Sequence, residues 1–237
     1  MDPKRQEFLD TLKPYCPNIK EIWHPLDIEY FKEYPAPVME NAQRLHYTNL
    51  NSTITFFGPM LYYFARAIGA EHILEIGMAE GYTSFYLANA AKDNGTRYVM
   101  KGNMYYGVEI LGKALNIKEQ MDKLELPNDI RVMSSADITP ETFKDVTFDI
   151  IFQDGNHETE YVVKEFETLW SQLKKNGKGY FIMHDPMGPA EEGWRAIKEK
   201  IDNKEYDASY VVIDAIYGLA LIRNMEGFDY DKRHWTN

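Results

Sequence analysis

Apolar positions follow no period over the first fifty residues and two alternating periods after them. Up to about Asn51 the chain is irregular and aromatic, with prolines at Pro14, Pro17, Pro25, Pro35 and Pro37 that predict short helical pieces joined by loops. Gly58 to Ala70 then carries apolar residues at helical spacing and ends on a glycine–alanine pair, so it reads as a helix. HILEIG, from His72, is a short apolar strand running into glycines, and TSFYLANAAK, from Thr83, is a helix. The alternation continues with strand MYYGVEI from Met104, helix GKALNIKEQMDKL from Gly112, and strands IRVMSSAD from Ile130 and FDIIFQDG from Phe148. Tyr161 to Lys175 is amphipathic, with Val162, Phe166, Leu169 and Leu173 on one face. Strand GKGYFIMHD from Gly177 and a helix through Trp194, Ile197 and Ile201 follow. SYVVID and GLALIRN close the pattern, separated by a few residues around Tyr217 and Gly218.

Strands alternating with helices imply right-handed βαβ units and a parallel sheet covered on both faces. The closing connection is too short for a parallel crossover, so one of the last two strands runs antiparallel. The expected fold is therefore α/β: a Rossmann-like, mostly parallel sheet of seven strands with an antiparallel C-terminal hairpin and helices on both faces. Residues 58–237 form this domain. Residues 1–57 form an N-terminal segment whose aromatic residues, among them Tyr30, Phe31, Tyr34, His46 and Tyr47, suit packing, a lid or a subunit contact.

Composition narrows the partners. At 237 residues, with 44% hydrophobic and 27% charged residues, the chain is long enough for one well-developed core. A net charge of -11 repels phosphates, which argues against a nucleic-acid partner. The single cysteine, Cys16, excludes an internal disulfide and suits a reducing compartment. The amino terminus is charged, unlike a signal peptide, and no apolar run spans a bilayer. A cytoplasmic location and no membrane partner are expected.

In an open α/β sheet, ligands bind beyond the carboxyl ends of the strands. The first strand ends in the loop Leu74 to Ser84, LEIGMAEGYTS. Gly77 and Gly81 let the backbone approach a ligand, and the following helix offers free N–H groups at its start. The spacing lacks the third glycine of a dinucleotide loop. Glu75, in the turn, would oppose a pyrophosphate and suits the ammonium of a methionine moiety, which favours S-adenosylmethionine (SAM) over NAD. Glu109 ends the second strand, where an acid accepts hydrogen bonds from a ribose diol in either nucleoside. Asp137, after the third strand, is placed either for an adenine amino group or as a helix cap.

Asp154 and Asp185 end neighbouring strands. Carboxylates that close together need a shared proton or a divalent cation. With His184 beside Asp185, the set Asp154, His184 and Asp185 suits Mg²⁺ or, through the histidine, Mn²⁺, Fe²⁺ or Zn²⁺. The alternative is that Asp154 shapes a turn and Asp185 caps a helix. His157, three residues past Asp154, has an unperturbed pKa that suits general-base work, or it caps the long helix.

These residues resemble a known family. GPMLYYFARAIGAEHILEIGMAEGYTSFYLA is similar to the opening of the metal-dependent O-methyltransferases related to the catechol and caffeoyl-CoA enzymes. The segment from Asp149 to Asp185 resembles the D-G-x-H and H-D blocks of a wider SAM-methyltransferase group, which includes sugar O-methyltransferases and a cephalosporin hydroxylase-like branch. The resemblance covers roughly Gly58 to Asn224. It implies a SAM loop of Glu75, Gly77, Met78, Ala79, Gly81 and Thr83, with Glu109 at the ribose and Ala136 and Asp137 at the adenine. It further implies a metal on Asp154 and Asp185, His157 taking a proton from a substrate hydroxyl with Asp154 beside it, and a homodimer. Two departures stand out: His184–Asp185 replaces the Asp–Asn of catechol-type members, and sugar-type members have an acid where His184 stands. The expected activity is methyl transfer to a hydroxyl oxygen of a small molecule. The alternatives are a metal-dependent hydroxylase on the same fold and a non-catalytic SAM-binding subunit, with a NAD enzyme the weakest rival.

Overall fold

The structure is a computed structural model that describes residues 54–79, 81–98, 102–214 and 217–229. The chain divides into Met1–Thr48 and Asn49–Asn237, and every described residue belongs to the second unit. The lid or subunit role expected of residues 1–57 therefore falls almost wholly outside the described residues. No helix among the described residues is long and apolar enough to cross a membrane.

The first described helix, α1 (Ile54–Ile68), ends where the glycine–alanine pair predicts. Gly69 adopts φ +68 and the Ala70 N–H reaches the Ala65 carbonyl at 2.9 Å, the 6→1 bond of a Schellman cap. Next come β1 (His72–Ile76), α2 (Tyr82–Tyr98), β2 (Met104–Glu109), α3 (Ala114–Lys123) and β3 (Asn128–Val132). A 3₁₀ turn (Ser135–Asp137), β4 (Ile150–Gln153), α4 (Thr159–Trp170), β5 (Tyr180–His184), α5 (Glu191–Asp202), β6 (Ala208–Ile213) and β7 (Leu219–Asn224) complete the order.

Among the boundaries that differ from the sequence pattern, three do so for a clear local reason. Helix α2 runs on past Lys92, and Asn94 in the added turn donates to the carbonyls of Ala65 and Ala70, at 3.1 and 2.8 Å. Strand β3 stops at Val132, because the Ser134 hydroxyl accepts the Ala136 N–H and starts the 3₁₀ turn. Helix α4 stops at Trp170, because Phe148 bonds Gln172 and Lys174 in a short parallel bridge ahead of β4.

The sheet has seven strands in the order β3-β2-β1-β4-β5-β7-β6, parallel throughout except for the antiparallel pairings of β7 with β5 and β6. The expected architecture is the observed one. Val162, Phe166 and Leu169 of α4 and Trp194, Ile197 and Ile201 of α5 pack over one face of the sheet. Tyr106, Phe143 and Phe148 meet edge-to-face at 5.4 to 5.7 Å at its β2 end. Strand order reverses between β1 and β4, and a crevice for a ligand forms at such a switch point.

Candidate functional site

At that switch point the loop after β1 meets the loop after β4. Gly77 bonds back to the Val108 carbonyl, and Asp154 to the Ile76 carbonyl, both at 2.9 Å. Gly77 has φ +83, and a Cβ on it would lie 2.2 Å from the Asp154 carbonyl oxygen, so only glycine fits. Ala79 also takes a positive φ, of 45°, in the turn that carries the chain into α2. Beside the turn a cleft of about 430 Å³ opens, lined by Gly77, Ala79 and Glu109 on one side and by Ser135, Asp154 and Tyr161 on the other.

Glu109 holds this loop. One carboxylate oxygen accepts the N–H groups of Met78 and Ala79 at 3.1 and 2.9 Å, and the other accepts that of Leu111 at 3.0 Å. A carboxylate has about four acceptor sites, so it retains capacity toward the cleft that it lines. Glu75 sits elsewhere: it is 1% exposed, bonded to the Tyr105 hydroxyl with Ser84 beside it, and absent from the cleft wall. Burial pushes its carboxyl up to about 8, so near neutral pH the side chain is largely uncharged. Met78 packs inward, its sulfur over Gly107, and Thr83 is buried in the first turn of α2. Of the adenine candidates, Asp137 is exposed, the Ala136 carbonyl accepts from Lys164 at 2.6 Å, and neither lines the cleft. Ser134 and Ser135, just before them, do.

On the other side of Asp154, two carboxylates and two imidazoles alternate around a ring. Asp154 Oδ1 lies 2.8 Å from His184 Nδ1, and His184 Nε2 lies 3.2 Å from Asp185 Oδ1. His157 Nε2 closes the ring at 4.0 Å from Asp185 and 3.6 Å from Asp154, separations too long for hydrogen bonds. Asp185 leaves β5 in a left-handed conformation, φ +59. Burial would raise the Asp154 carboxyl, but the two imidazoles beside it, His157 and the hydrogen-bonded His184, hold it below its ordinary value. Asp154 in turn holds the His157 imidazole above its ordinary value, against the opposing effect of burial.

The donor atoms that converge for a cation are those of Asp154, His157 and His184, all within 4.8 Å of one another. Asp185 faces the opposite nitrogen of the His184 ring from Asp154, so the expected set of Asp154, His184 and Asp185 is spread around the ring. His157 also borders a second hollow of about 580 Å³ between the starts of α4 and α5, lined by Asn156, Thr159 and Gly188 among others. Asn156 belongs to both cavities, with Asp154 lining the first and His157, 3.6 Å from it, the second. Sequence reasoning missed Ser135, Asn156 and Tyr161 as cleft residues. The signal for Asn156 and Tyr161 was their closeness to the end of β4.

Residues 74–186 match a family model described as a methyltransferase domain. Among solved structures, the chain is similar to a Streptomyces achromogenes O-methyltransferase involved in tomaymycin synthesis, in complex with SAM. That match has a TM-score of 0.64 and 17% identity, over 87% of this chain and 98% of that one. It is similar to a Bacillus cereus O-methyltransferase in complex with SAH, with a TM-score of 0.62, 19% identity, and 85% and 95% of the two chains covered. It is also similar to an SAH-bound Podospora anserina methyltransferase, with a TM-score of 0.59, 17% identity, and 94% and 97% covered. No curated protein matches the chain. The family model and these structures agree on one fold: residues 74–186 match a methyltransferase domain, and the sheet and its helices are similar to those of SAM- and SAH-bound methyltransferases.

Proposed function

We propose that this chain is a SAM-dependent methyltransferase that moves the methyl group of SAM to a hydroxyl oxygen of a small molecule, with His157 as proton acceptor. The observation that carries this reading is the junction of the two cavities. A cleft at the β1/β4 switch point, lined by Asp154, and a hollow between α4 and α5, lined by His157, share Asn156, which gives a donor side and an acceptor side. The SAM- and SAH-bound O-methyltransferases of the same fold support it.

The chemistry needs little beyond alignment. The acceptor oxygen attacks the methyl carbon as its bond to sulfur breaks, and the hydroxyl proton passes to His157 Nε2, whose nearest carboxylate is Asp154. A methyl ether and S-adenosylhomocysteine result. Holding donor and acceptor in line removes on the order of 7–11 kcal/mol from the barrier. Asp154 and His184, two of the three residues whose donor atoms converge, would hold a divalent cation there. Such a cation would lower the pKa of the hydroxyl and orient it.

His157→Ala is expected to leave SAH binding unchanged and to lower turnover by about 10²–10⁴-fold. Unchanged turnover would discard the base assignment. Calorimetry that finds no affinity for SAM or SAH would discard the methyltransferase reading itself.

The converging set of two imidazoles and one carboxylate favours a second reading, a metal-dependent hydroxylase on the same fold. In that case His157 is a ligand and Asp185 stands behind His184, 3.2 Å from its Nε2. Stoichiometric iron together with oxygen consumption selects this reading, and methyl transfer in the presence of a chelator rejects it.

A further inference from the structure

The hollow of about 580 Å³ that His157 borders has carboxylates on two sides. Glu158 follows His157 at the start of α4, Glu191 and Glu192 open α5, and no lysine or arginine lines the space. Glu192 reaches from α5 to the Thr159 hydroxyl at the first position of α4, a contact of 3.5 Å, so the two helix starts share one space. The rest of the wall includes Asn156, Gly188 and Pro189. The Tyr217 ring packs where Gly188 lacks a Cβ, 2.5 Å from that position. Tyr217 and Met187, joined by a backbone hydrogen bond of 2.9 Å, are both nearly half exposed, which leaves apolar surface beside the acids.

Helix formation does not account for these acids. The turn into α4 is closed by Asn156, whose carboxamide oxygen accepts the Glu158 N–H at 2.9 Å. Glu158 stands at the N-cap, a position that favours shorter side chains, and makes no cap bond of its own. Glu191 is met by Arg195 at 2.6 Å, whereas Glu158 and Glu192 form no ion pair among the described residues. Each helix start offsets about half a negative charge. Two helix starts and one guanidinium against three carboxylates leave about one negative charge over. Neither the proton transfer to His157 nor the ring around His184 uses it.

We propose that the methyl acceptor is a hydroxyl compound that also carries a protonated amine, and that Glu158 and Glu192 select it by that charge. This rests on the hollow being the acceptor side of a methyltransferase. The amine takes no part in the transfer: the oxygen–methyl bond forms, the methyl–sulfur bond breaks and the hydroxyl proton leaves, as for any acceptor. An acceptor bearing phosphates, such as a coenzyme A thioester, meets like charge in the hollow and in the molecule's net charge of -11.

Ligand-observed NMR on the full chain, saturated with S-adenosylhomocysteine, tests this in two matched series. One is tyramine, tyrosol and phloretate; the other is aminohexanol, hexanediol and hydroxyhexanoate. Within each series the scaffold stays the same while the charge runs from positive through neutral to negative. In at least one series the amine is expected to bind about 5–20-fold more tightly than its neutral counterpart, and the acid more weakly than either. Added salt is expected to shrink the preference. Combining Glu158→Gln with Glu192→Gln, both exposed positions, is expected to bring it below about 2-fold. Amines that bind no better than their neutral counterparts in both series, or a preference that survives the double variant, overturn the role of the two acids and leave the methyltransferase reading standing. Failure of the chain to bind S-adenosylhomocysteine, measured first, overturns the reading beneath it.

Discussion

Glu75 shows how one side chain serves the site without touching it. Its position at the end of β1 suggests a ligand for the cofactor's ammonium, yet its carboxyl points behind the sheet end to Tyr105 and Ser84. A carboxyl raised to about 8 is protonated in the fold and ionised in the unfolded chain between about pH 4.5 and pH 8. The folded state binds the extra proton in that window, so this group makes stability fall as pH rises through it. Glu75→Gln, neutral at every pH, removes the fall. The variant is expected to melt close to the unaltered protein at pH 4.5 and above it at pH 8, by on the order of 2–4 kcal/mol in stability. Equal melting differences at the two pH values would show that Glu75 ionises in the fold as freely as in the unfolded chain.

Elements were legible where period and punctuation agree. The alternation of short apolar strands with helices, and the short link before GLALIRN, imply the sheet that forms, because burial on both faces and the reach of a crossover leave few alternatives. Ends decided by a partner distant in sequence were not legible. Nothing in KDNGTRY announces that α2 continues, since the reason is the Asn94 side chain meeting carbonyls 24 and 29 residues away. At the candidate site, strand ends marked Gly77, Glu109, Asp154 and Asp185, because a sheet brings its C-terminal ends to one rim. The facing of Met78 and Thr83, and the exposure of Asp137, depend on which neighbours fill the space and carry no local signal. Asn94 gives the test at this scale. Asn94→Ala leaves two helix-end carbonyls without their side-chain donor and is expected to cost about 1–3 kcal/mol in urea unfolding. A midpoint unchanged from the unaltered protein would mean that apolar packing and the Tyr62 and Arg66 contacts to Asp93 join α1 and α2 without help from Asn94.

Over the whole molecule, the cleft gathers residues from the ends of β1, β2, β3 and β4, so a ligand seated there ties four strands and the loops that follow them. That makes stability a readout of cofactor choice, because a ligand that binds only the folded state stabilises it by mass action. At a hundredfold excess over its dissociation constant the gain is about 2.7 kcal/mol. For a domain of this size that is a rise of about 5–10 °C in melting temperature. S-adenosylhomocysteine is expected to produce it. NAD at the same concentration is expected to produce none, for two reasons visible in the loop. The turn after β1 spends its Met78 and Ala79 N–H groups on Glu109, leaving neither for a pyrophosphate. The molecule's net charge of -11 also repels a dianionic linker more than a zwitterionic amino acid. An equal rise with NAD would return the cleft to a generic nucleoside pocket. A rise with S-adenosylhomocysteine alone would tie the charge, the loop and the strand order to one class of cofactor.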